Sequence, residues 1–336
     1  MFKISTDFIA KNKRLIGFFF LASAILLIVP SFGNPFLTHS LFLSFLYAFM
    51  ALAWNLLCGY GGQFSLGHHL YFGVGAYVTA VLLINLDLTP WIGMLVSGIV
   101  CAALAALVSL PLFQLRLQWF TIATMVVAEI FKIAFTNWDA VGGGKGLLLP
   151  MKPPSIYWLR FAEPDVYYYI MLGLLAIEAI ILYRIINGKI GHCLQVIRED
   201  EYAAMSVGIN SLKYKTIALV IGGFFCGIAG GFYTAKYRFI DPFSTMDYMI
   251  SVEVALVGII GGVYTFIGPI IGSLLVIPVS NYVRAAFGAP LGGQFFGVHR
   301  LIYGCVLLVA ALFMQEGIVG WTKRKGYTAF IKGGGK

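Results

Sequence analysis

The side chains most able to do chemistry in this sequence are charged residues inside long apolar stretches: Glu129, Lys132, Glu178 and Glu253. An ionisable group at membrane depth costs roughly 2.5–3.5 kcal/mol on insertion scales, so each is a candidate for function. Glu129 and Lys132 are three residues apart and are expected to pair on one helical face. Glu178 is expected only to reach toward the interface. Glu253 precedes a glycine-rich interruption, which could expose its carboxylate to a cavity.

Two other clusters could indicate catalysis, but neither has the required spacing. Ser65, His68 and His69 lie within one turn, whereas a nucleophile and its base need facing elements. The glycine-rich segment 142–147 lacks the Lys-Ser/Thr pair of a P-loop. The five cysteines are scattered, without a Cys-x-x-Cys pair, which predicts neither a disulfide nor a metal site. We therefore expect this chain not to be an enzyme, with no catalytic residue and no metal.

The elements that must position these residues are apolar helices. The chain has 336 residues, of which 60% are hydrophobic and 11% charged, whereas soluble domains carry about 25% charged residues. These values exclude a soluble enzyme, a disordered chain and a disulfide scaffold. Because a membrane-spanning helix uses about 20 residues, we predict a single all-α polytopic membrane domain over residues 1–336, with about ten transmembrane helices. The apolar segments are Leu15–Val29, Leu37–Leu57, Gly67–Leu86, Trp91–Leu115, Leu117–Thr136, Val166–Ile186, Leu212–Tyr233, Met249–Gly261, Phe266–Val283 and Leu301–Gln315.

The basic residues predict the orientation of these helices. With a cytoplasmic N-terminus, the cytoplasmic pieces hold fifteen Lys and Arg residues and the outer pieces seven, in line with the positive-inside rule. We therefore expect both termini and segment 187–211 in the cytoplasm, and a long outer loop over residues 137–165. The net charge of +9 is then explained by contact with anionic membrane lipid rather than nucleic acid.

Two glycine-rich interruptions, near residues 59–67 and 261–268, form a faint internal repeat. Interrupted helices at matching places in two halves are typical of transport pathways, so we predict broken or re-entrant segments that face each other near a pore. The alternative is continuous helices with packing glycines. The predicted pathway residues are Asn55, Gly62, Gln63, Ser65, His68, Glu253 and Gly262.

Residues 191–209 form the only sizeable polar helix candidate. Their small, apolar residues recur at spacings of three or four, which places them on one helical face suited to a groove on another protein. The alternative is a helix lying on the bilayer surface, but three consecutive acidic residues oppose contact with anionic lipid. The predicted docking residues are Gly191, Leu194, Ile197, Arg198, Glu199, Asp200, Glu201, Ala204 and Gly208.

Four motifs, which span about residues 50–285, together resemble one known family: the permease subunits of ATP-binding-cassette (ABC) importers for branched-chain amino acids, specifically the M-type subunit of the Liv system. The motifs cover residues 55–77, 142–147, 191–209 and 251–269. The sequence departs from the expected pattern at His69, where a small residue is expected, and at Lys145, where a small or acidic residue is usual.

The resemblance implies that segment 191–209 is a coupling helix, which docks into a cleft on an ATPase subunit. The implied partners are a second homologous permease subunit, two ABC ATPases and a soluble substrate-binding protein. ATP would be bound by the ATPases, so no cofactor is expected in this chain, which would lie in a prokaryotic cytoplasmic (inner) membrane. Two alternatives remain: a urea or short-amide permease of the same family, and an ion-coupled secondary transporter, which would have no need of a docking helix.

The predicted topology can be tested by cysteine labelling in a cysteine-free background. A membrane-impermeant reagent added from outside should label a cysteine at position 145 and should not label cysteines at positions 195 and 330, because the last two are placed in the cytoplasm. Labelling of position 195 from outside would overturn both the orientation and the docking hypothesis.

Overall fold

The computed structural model describes residues 30, 33–115, 117–288, 305 and 317. The predicted first and tenth helices, Leu15–Val29 and Leu301–Gln315, and both termini lie outside the described residues, apart from position 305. Each of the other eight predicted apolar segments forms a helix. The helices are α1 (Pro35–Asn55), α2 (His68–Leu86), α3 (Pro90–Leu112), α4 (Leu117–Thr136), α5 (Asp165–Ile186), α6 (Lys189–Glu199), α7 (Glu201–Ser206), α8 (Ser211–Tyr237), α9 (Pro242–Thr245), α10 (Tyr248–Gly261) and α11 (Gly268–Gly288).

Within the described residues, seven helical stretches are long and apolar enough to cross a membrane, which makes the chain an all-α polytopic membrane protein. One of them extends the predicted apolar segment Met249–Gly261 at its N-terminal side. The short helix α9 precedes α10, and together they form an apolar stretch of 20 residues, Pro242–Gly261. The Asp241 carboxylate caps α9 by accepting from the amides of Phe243 and Ser244, so this stretch starts at a defined point.

The 137–165 loop and the polar helices α6 and α7 lie at opposite ends of the bundle. Strand β1 (Leu147–Leu148) pairs with strand β2 (Phe239–Ile240), which follows α8. The Trp91 indole N–H, at the start of α3, donates to the carbonyl of Ile156 at 2.8 Å. We call this side the loop end. At the other side, the α6 end, α6 packs against the last residues of α1, as described below.

Helix α8 lies at the centre and packs on α1, α2 and α3. Its glycines allow backbones to approach without intervening side chains, as is common between membrane helices. A Cβ on Gly230 would overlap the Phe72 carbonyl of α2, and one on Gly75 would overlap the Gly227 carbonyl of α8. The Ser97 hydroxyl of α3 also donates to the Gly227 carbonyl at 2.9 Å. The three helices α2, α3 and α8 therefore form a tightly packed block.

This close contact predicts an asymmetry between two glycine substitutions. Gly230→Ala should lower the stability of the detergent-solubilised protein by about 1–3 kcal/mol, because the added methyl forces two backbones apart. Gly173→Ala in α5 is the matched control: a Cβ there meets nothing within 4 Å, so it should be neutral or slightly stabilising. Thermal unfolding followed by fluorescence measures both. Equal melting temperatures for the two variants would contradict the described packing.

Candidate functional site

The first chain break follows α1. The helix widens into a π turn over Leu56–Tyr60 and gives way at Gly61 to non-helical backbone that lasts until α2 begins at His68. Gly62 has a φ of 68°, which a residue with a Cβ adopts only at a cost. The break therefore lies within the predicted region, starting two residues later than Gly59.

The second break connects α10 to α11 over residues 262–267. Gly262 ends α10 with a φ of 122°, again a conformation that favours glycine. The Thr265 hydroxyl donates to the Gly262 carbonyl at 2.8 Å and accepts from the Gly268 amide at 3.1 Å. One side chain thus closes the turn and starts α11.

The end of α1, with the π turn that leads into the first break, lies against the second break. The Asn55 amide nitrogen donates to the Thr265 carbonyl at 3.0 Å. A Cβ on Gly59 would overlap the Val263 carbonyl oxygen, so the end of α1 is in backbone contact with the second break. We call this contact, of residues 55–59 with residues 263–265, the joint. A displacement of the π turn would therefore act directly on the second break.

Side chains from neighbouring helices satisfy the backbone groups of the first break. Thr121 of α4 donates to the Phe64 carbonyl at 2.7 Å, and Thr124 accepts from the Leu66 amide at 3.2 Å. The Trp54 indole donates to the Ser65 carbonyl at 2.8 Å. Irregular backbone at membrane depth persists only where protein or a watery cavity supplies such partners, so α1 and α4 hold this break in place.

Helix α6 packs directly on both breaks. The Arg198 guanidinium donates to the Gly59 carbonyl at 3.1 Å and lies 4.8 Å from the ring centre of Tyr264. A Cβ on Gly62 would come within 2.8 Å of the Arg198 Cγ, and one on Gly61 within 3.3 Å of Leu194. The polar segment is therefore seated on the joint between the breaks.

The predicted single docking helix is two helices. Asp200 is extended, with a φ of −154°, and its carboxylate caps α7 by accepting from the amides of Tyr202 and Ala203 at 2.9 and 3.0 Å. Aspartate is a favoured N-cap residue because it pairs the free amides of a first turn. The chain therefore bends between α6 and α7.

The face predicted to meet a partner is turned toward its own chain, which corrects the sequence analysis. Gly191, Leu194, Ile197 and Ala204 are buried, because the ends of α1 and α8 already cover this apolar stripe. Glu199, Asp200 and Gly208 are exposed. The exposed tip also carries three apolar residues that periodicity did not single out, Tyr202, Met205 and Val207, with exposed fractions of 82%, 46% and 73%.

Glu201 also contacts its own chain rather than solvent alone. Its carboxylate lies 2.7 Å from Lys215 Nζ and accepts a hydrogen bond from the Ser211 hydroxyl. The Lys215 side chain is only 4% exposed, so Glu201 compensates a buried charge at the start of α8. Partial burial alone would raise the pKa of Glu201, but hydrogen bonds from Lys215 and Ser211 and the charge of Lys215 outweigh it and lower the pKa.

The predicted pathway residues separate into three groups. Asn55 and Gly262 both bond Thr265, and Gly62 lies beside Arg198, whereas Glu253 lines a cavity of about 450 Å³ nearer the loop end. Gln63, Ser65 and His68 are buried, and they are not among the residues that line this cavity. The described lining residues are His39, Leu43, Leu46, Tyr47, Met50, Phe72, Tyr233, Tyr237, Ser244, Asp247, Met249, Ile250, Glu253, Ile277, Ser280 and Asn281.

The other three ionisable residues within apolar segments are Glu129, Lys132 and Glu178. Lys132 and Glu129 form the predicted pair, with 3.6 Å between Nζ and the carboxylate. The prediction for Glu178 is wrong: it is fully buried, and its oxygens have no hydrogen-bond partner among the described residues. Helix α5 turns this side chain into the bundle, so it cannot reach the interface.

His69 has a structural partner that the sequence does not reveal. The Ser251 hydroxyl of α10 accepts from the His69 backbone amide at 2.9 Å and lies 2.8 Å from the ring Nδ1. The two residues are 182 positions apart, so no local pattern could connect them. Their pairing attaches α2 to α10, and both the hydroxyl and Nδ1 are used in it.

Comparison with known proteins agrees with this architecture. A family model described as the permease component of branched-chain amino acid transport systems matches residues 36–311. The chain belongs to this family. No solved structure matches it.

Curated members of the family are similar over most of this permease. The permease protein LivM of the high-affinity branched-chain amino acid transport system of Escherichia coli is 23% identical over 84% of this chain and 69% of its own length. A probable LivM of Methanocaldococcus jannaschii is 23% identical, covering 74% of this chain and 78% of its own. LivH of Salmonella typhimurium is 20% identical, covering 82% and 91%. The matches include both subunit types, LivM and LivH.

The contact of Glu201 with Lys215 predicts a pH-dependent change in stability. Glu201→Gln should destabilise the permease by about 1–2 kcal/mol at neutral pH, because it leaves a buried ammonium uncompensated, discounted for the partial exposure of Glu201. Since folding lowers the pKa of Glu201, its contribution is present above the ordinary value of 4.5 and is lost as the pH falls through the lower folded-state pKa. Melting temperatures of variant and wild type should therefore converge in acid. A gap that widens in acid would contradict the assignment.

Proposed function

We propose that this chain is the transmembrane permease subunit of an ABC importer that translocates branched-chain (hydrophobic) amino acids across a prokaryotic cytoplasmic membrane, driven by separate ATPase subunits. The observation that carries the proposal is the α6–α7 segment. It is helical, lies at one end of the bundle, packs on both chain breaks, and leaves the tip of Tyr202, Met205 and Val207 exposed. A secondary transporter has no use for such an element.

The exposed tip supports docking of an ATPase. Apolar side chains clustered outside the membrane spans and bordered by charges are typical of a protein interface. Glu199 and Asp200 are exposed beside the tip, and both remain proposed contacts with the ATPase. Arg198 and Glu201 act on their own chain, so they would support the docking surface from beneath rather than form it.

A second permease subunit is supported by the surface of α4. This helix exposes Ile122, Val126 and Ile130, which lipid could cover. However, it also carries the Glu129–Lys132 pair, whose side chains are 34% and 19% exposed, and charges facing lipid are costly. We propose that a related permease, of the type represented by LivH among the matched relatives, covers this face as a heterodimer.

The proposed topology has ten helices, with both termini and α6–α7 in the cytoplasm and the 137–165 loop outside. A soluble substrate-binding protein would deliver its cargo at the loop end, into the cavity that Glu253 lines. The lining combines the carboxylates of Asp247 and Glu253 with apolar side chains, which can receive the ammonium and hydrocarbon groups of a branched-chain amino acid. The breaks, at the α6 end, would then close the path toward the cytoplasm. ATP is bound and hydrolysed by the partner subunits.

Substitution of the tip tests ATPase docking. Met205→Asp should weaken co-purification of the ATPase subunits with the permease by about tenfold or more, because it places an unpaired charge in an apolar interface. His192→Ala is the matched control: His192 is exposed on α6, and its ring hydrogen-bonds the Gly188 carbonyl of its own turn. Both variants should melt like the wild type. Full ATPase retention by Met205→Asp would refute docking at the tip.

The substrate class is tested separately by ATP-driven uptake into vesicles that contain the assembled importer. Labelled leucine should accumulate, and unlabelled isoleucine or valine should compete where urea or acetamide does not. The reverse order of competition would assign the chain to the urea and amide branch of the family. Uptake that persists without ATP and follows an ion gradient would instead indicate a secondary transporter.

A further inference from the structure

Arg198 contacts three parts of the joint at once. Its Nη1 donates to the Gly59 carbonyl in the π turn after α1, at 3.1 Å. Its guanidinium carbon lies 4.8 Å from the centre of the Tyr264 ring in the second break. Its Cγ fills the space beside Gly62 in the first break, where a Cβ would come within 2.8 Å. One side chain of α6 thus contacts the end of α1 and both breaks.

We propose that Arg198 is the positioning residue through which movement of the α6–α7 segment is transmitted to both chain breaks. The proposal rests on the proposed function, in which an ATPase moves that segment. It goes further by assigning the transmission to one side chain and its two receivers, the Gly59 carbonyl and the Tyr264 ring.

The guanidinium group suits this task because its donors and its face act in different directions. Its donors reach the Gly59 carbonyl and the Glu199 carboxylate, the latter at 2.5 Å, while the guanidinium carbon lies over the Tyr264 ring, a combination that suits a planar cation. A lysine ammonium is a single point charge on a flexible stem and cannot hold a directed hydrogen bond and a ring stack together. The contact to Glu199 also ties the group to the exposed end of α6.

The Gly59 carbonyl is directly affected by any movement of Arg198, its hydrogen-bond donor. It lies in the π turn that ends the first helical stretch. Carbonyls at the C-terminal end of a helix have lost their helical partners, and a cation is favoured there. If α6 moves without the breaks, this carbonyl loses its charged donor. Because Asn55 of α1 also bonds the Thr265 carbonyl at 3.0 Å, a displacement at Gly59 is passed on to the second break.

The first test is the number of substrate molecules transported per ATP hydrolysed by the complete importer in proteoliposomes. Arg198→Ala should still hydrolyse ATP, and co-purification checks that it keeps its ATPase subunits, because Arg198 lies beneath the docking surface and bonds Glu199. Its ratio should fall by about tenfold, within the range of allosteric couplings. Arg198→Lys should give an intermediate ratio. His192→Ala, on the same helix, should keep the wild-type ratio. A wild-type ratio in Arg198→Ala would overturn the proposal.

The second test needs no substrate and follows backbone hydrogen exchange in the complete importer with and without ATP. In the wild type, ATP should change exchange in α6–α7, in residues 59–67 and in residues 262–267. In Arg198→Ala the change should persist in α6–α7 and disappear from both breaks. An unchanged response of the breaks would refute the proposal even if transport were impaired for another reason.

Tyr264 provides an independent variant pair in case Arg198→Ala does not assemble. Tyr264→Leu removes the ring and should lower the transport ratio, whereas Tyr264→Phe keeps the ring and should preserve it; equal ratios would refute the role of the ring. Failure of the proposed function would look different: the wild-type complex itself would show no ATP-driven uptake of amino acids.

Discussion

The whole arrangement depends on one constraint: backbone N–H and C=O groups inside a membrane need partners within the protein. A continuous helix meets this requirement by itself, and a broken one does not. Here the broken backbone is completed from outside by Trp54, Thr121, Thr124, Asn55 and Arg198. These donors and acceptors come from α1, α4 and α6. The backbone conformation of the breaks therefore depends on the positions of those three helices.

The polar segment α6–α7 has two distinct surfaces. Its buried side, with Leu194 and Arg198, belongs to the bundle, while its exposed side, with Tyr202 and Val207, is open at the end of the molecule. Glu201 connects α7 to the bundle, because its carboxylate lies 2.7 Å from the nearly buried Nζ of Lys215 in α8. A partner that moves the exposed side therefore acts on an element that is already fastened to the membrane helices.

Much of the fold could be predicted because the spans are apolar and their flanks are not. Helix α4 has the predicted bounds, Leu117–Thr136, since Arg116 and Asn137 flank a mainly apolar run. The two helix interruptions could be predicted approximately from their glycines, although the sequence alone left continuous helices with packing glycines as the alternative. The pairing of Glu129 with Lys132 followed from helical spacing alone.

What could not be predicted involves contacts between distant positions. Periodicity put Leu194 and Ala204 on one face, but it cannot tell whether that face meets a partner or its own chain. It also treated residues 191–209 as one helix, because the capping carboxylate of Asp200 does not disturb the apolar spacing. The burial of Glu178 and the bond between His69 and Ser251 arise only when α5, α2 and α10 are packed.

The glycine contacts at the centre have a mechanical consequence. Backbones of α2 and α8 touch at Gly75 and Gly230, and those of α10 and α11 touch at Gly261 and Gly272, so neither pair has a layer of side chains that could slide. Each pair is therefore expected to move as one rigid unit. The cavity is lined by Phe72 and Tyr233 of the first pair and by Glu253 and Ile277 of the second. A movement of one pair relative to the other would therefore change the width of this cavity.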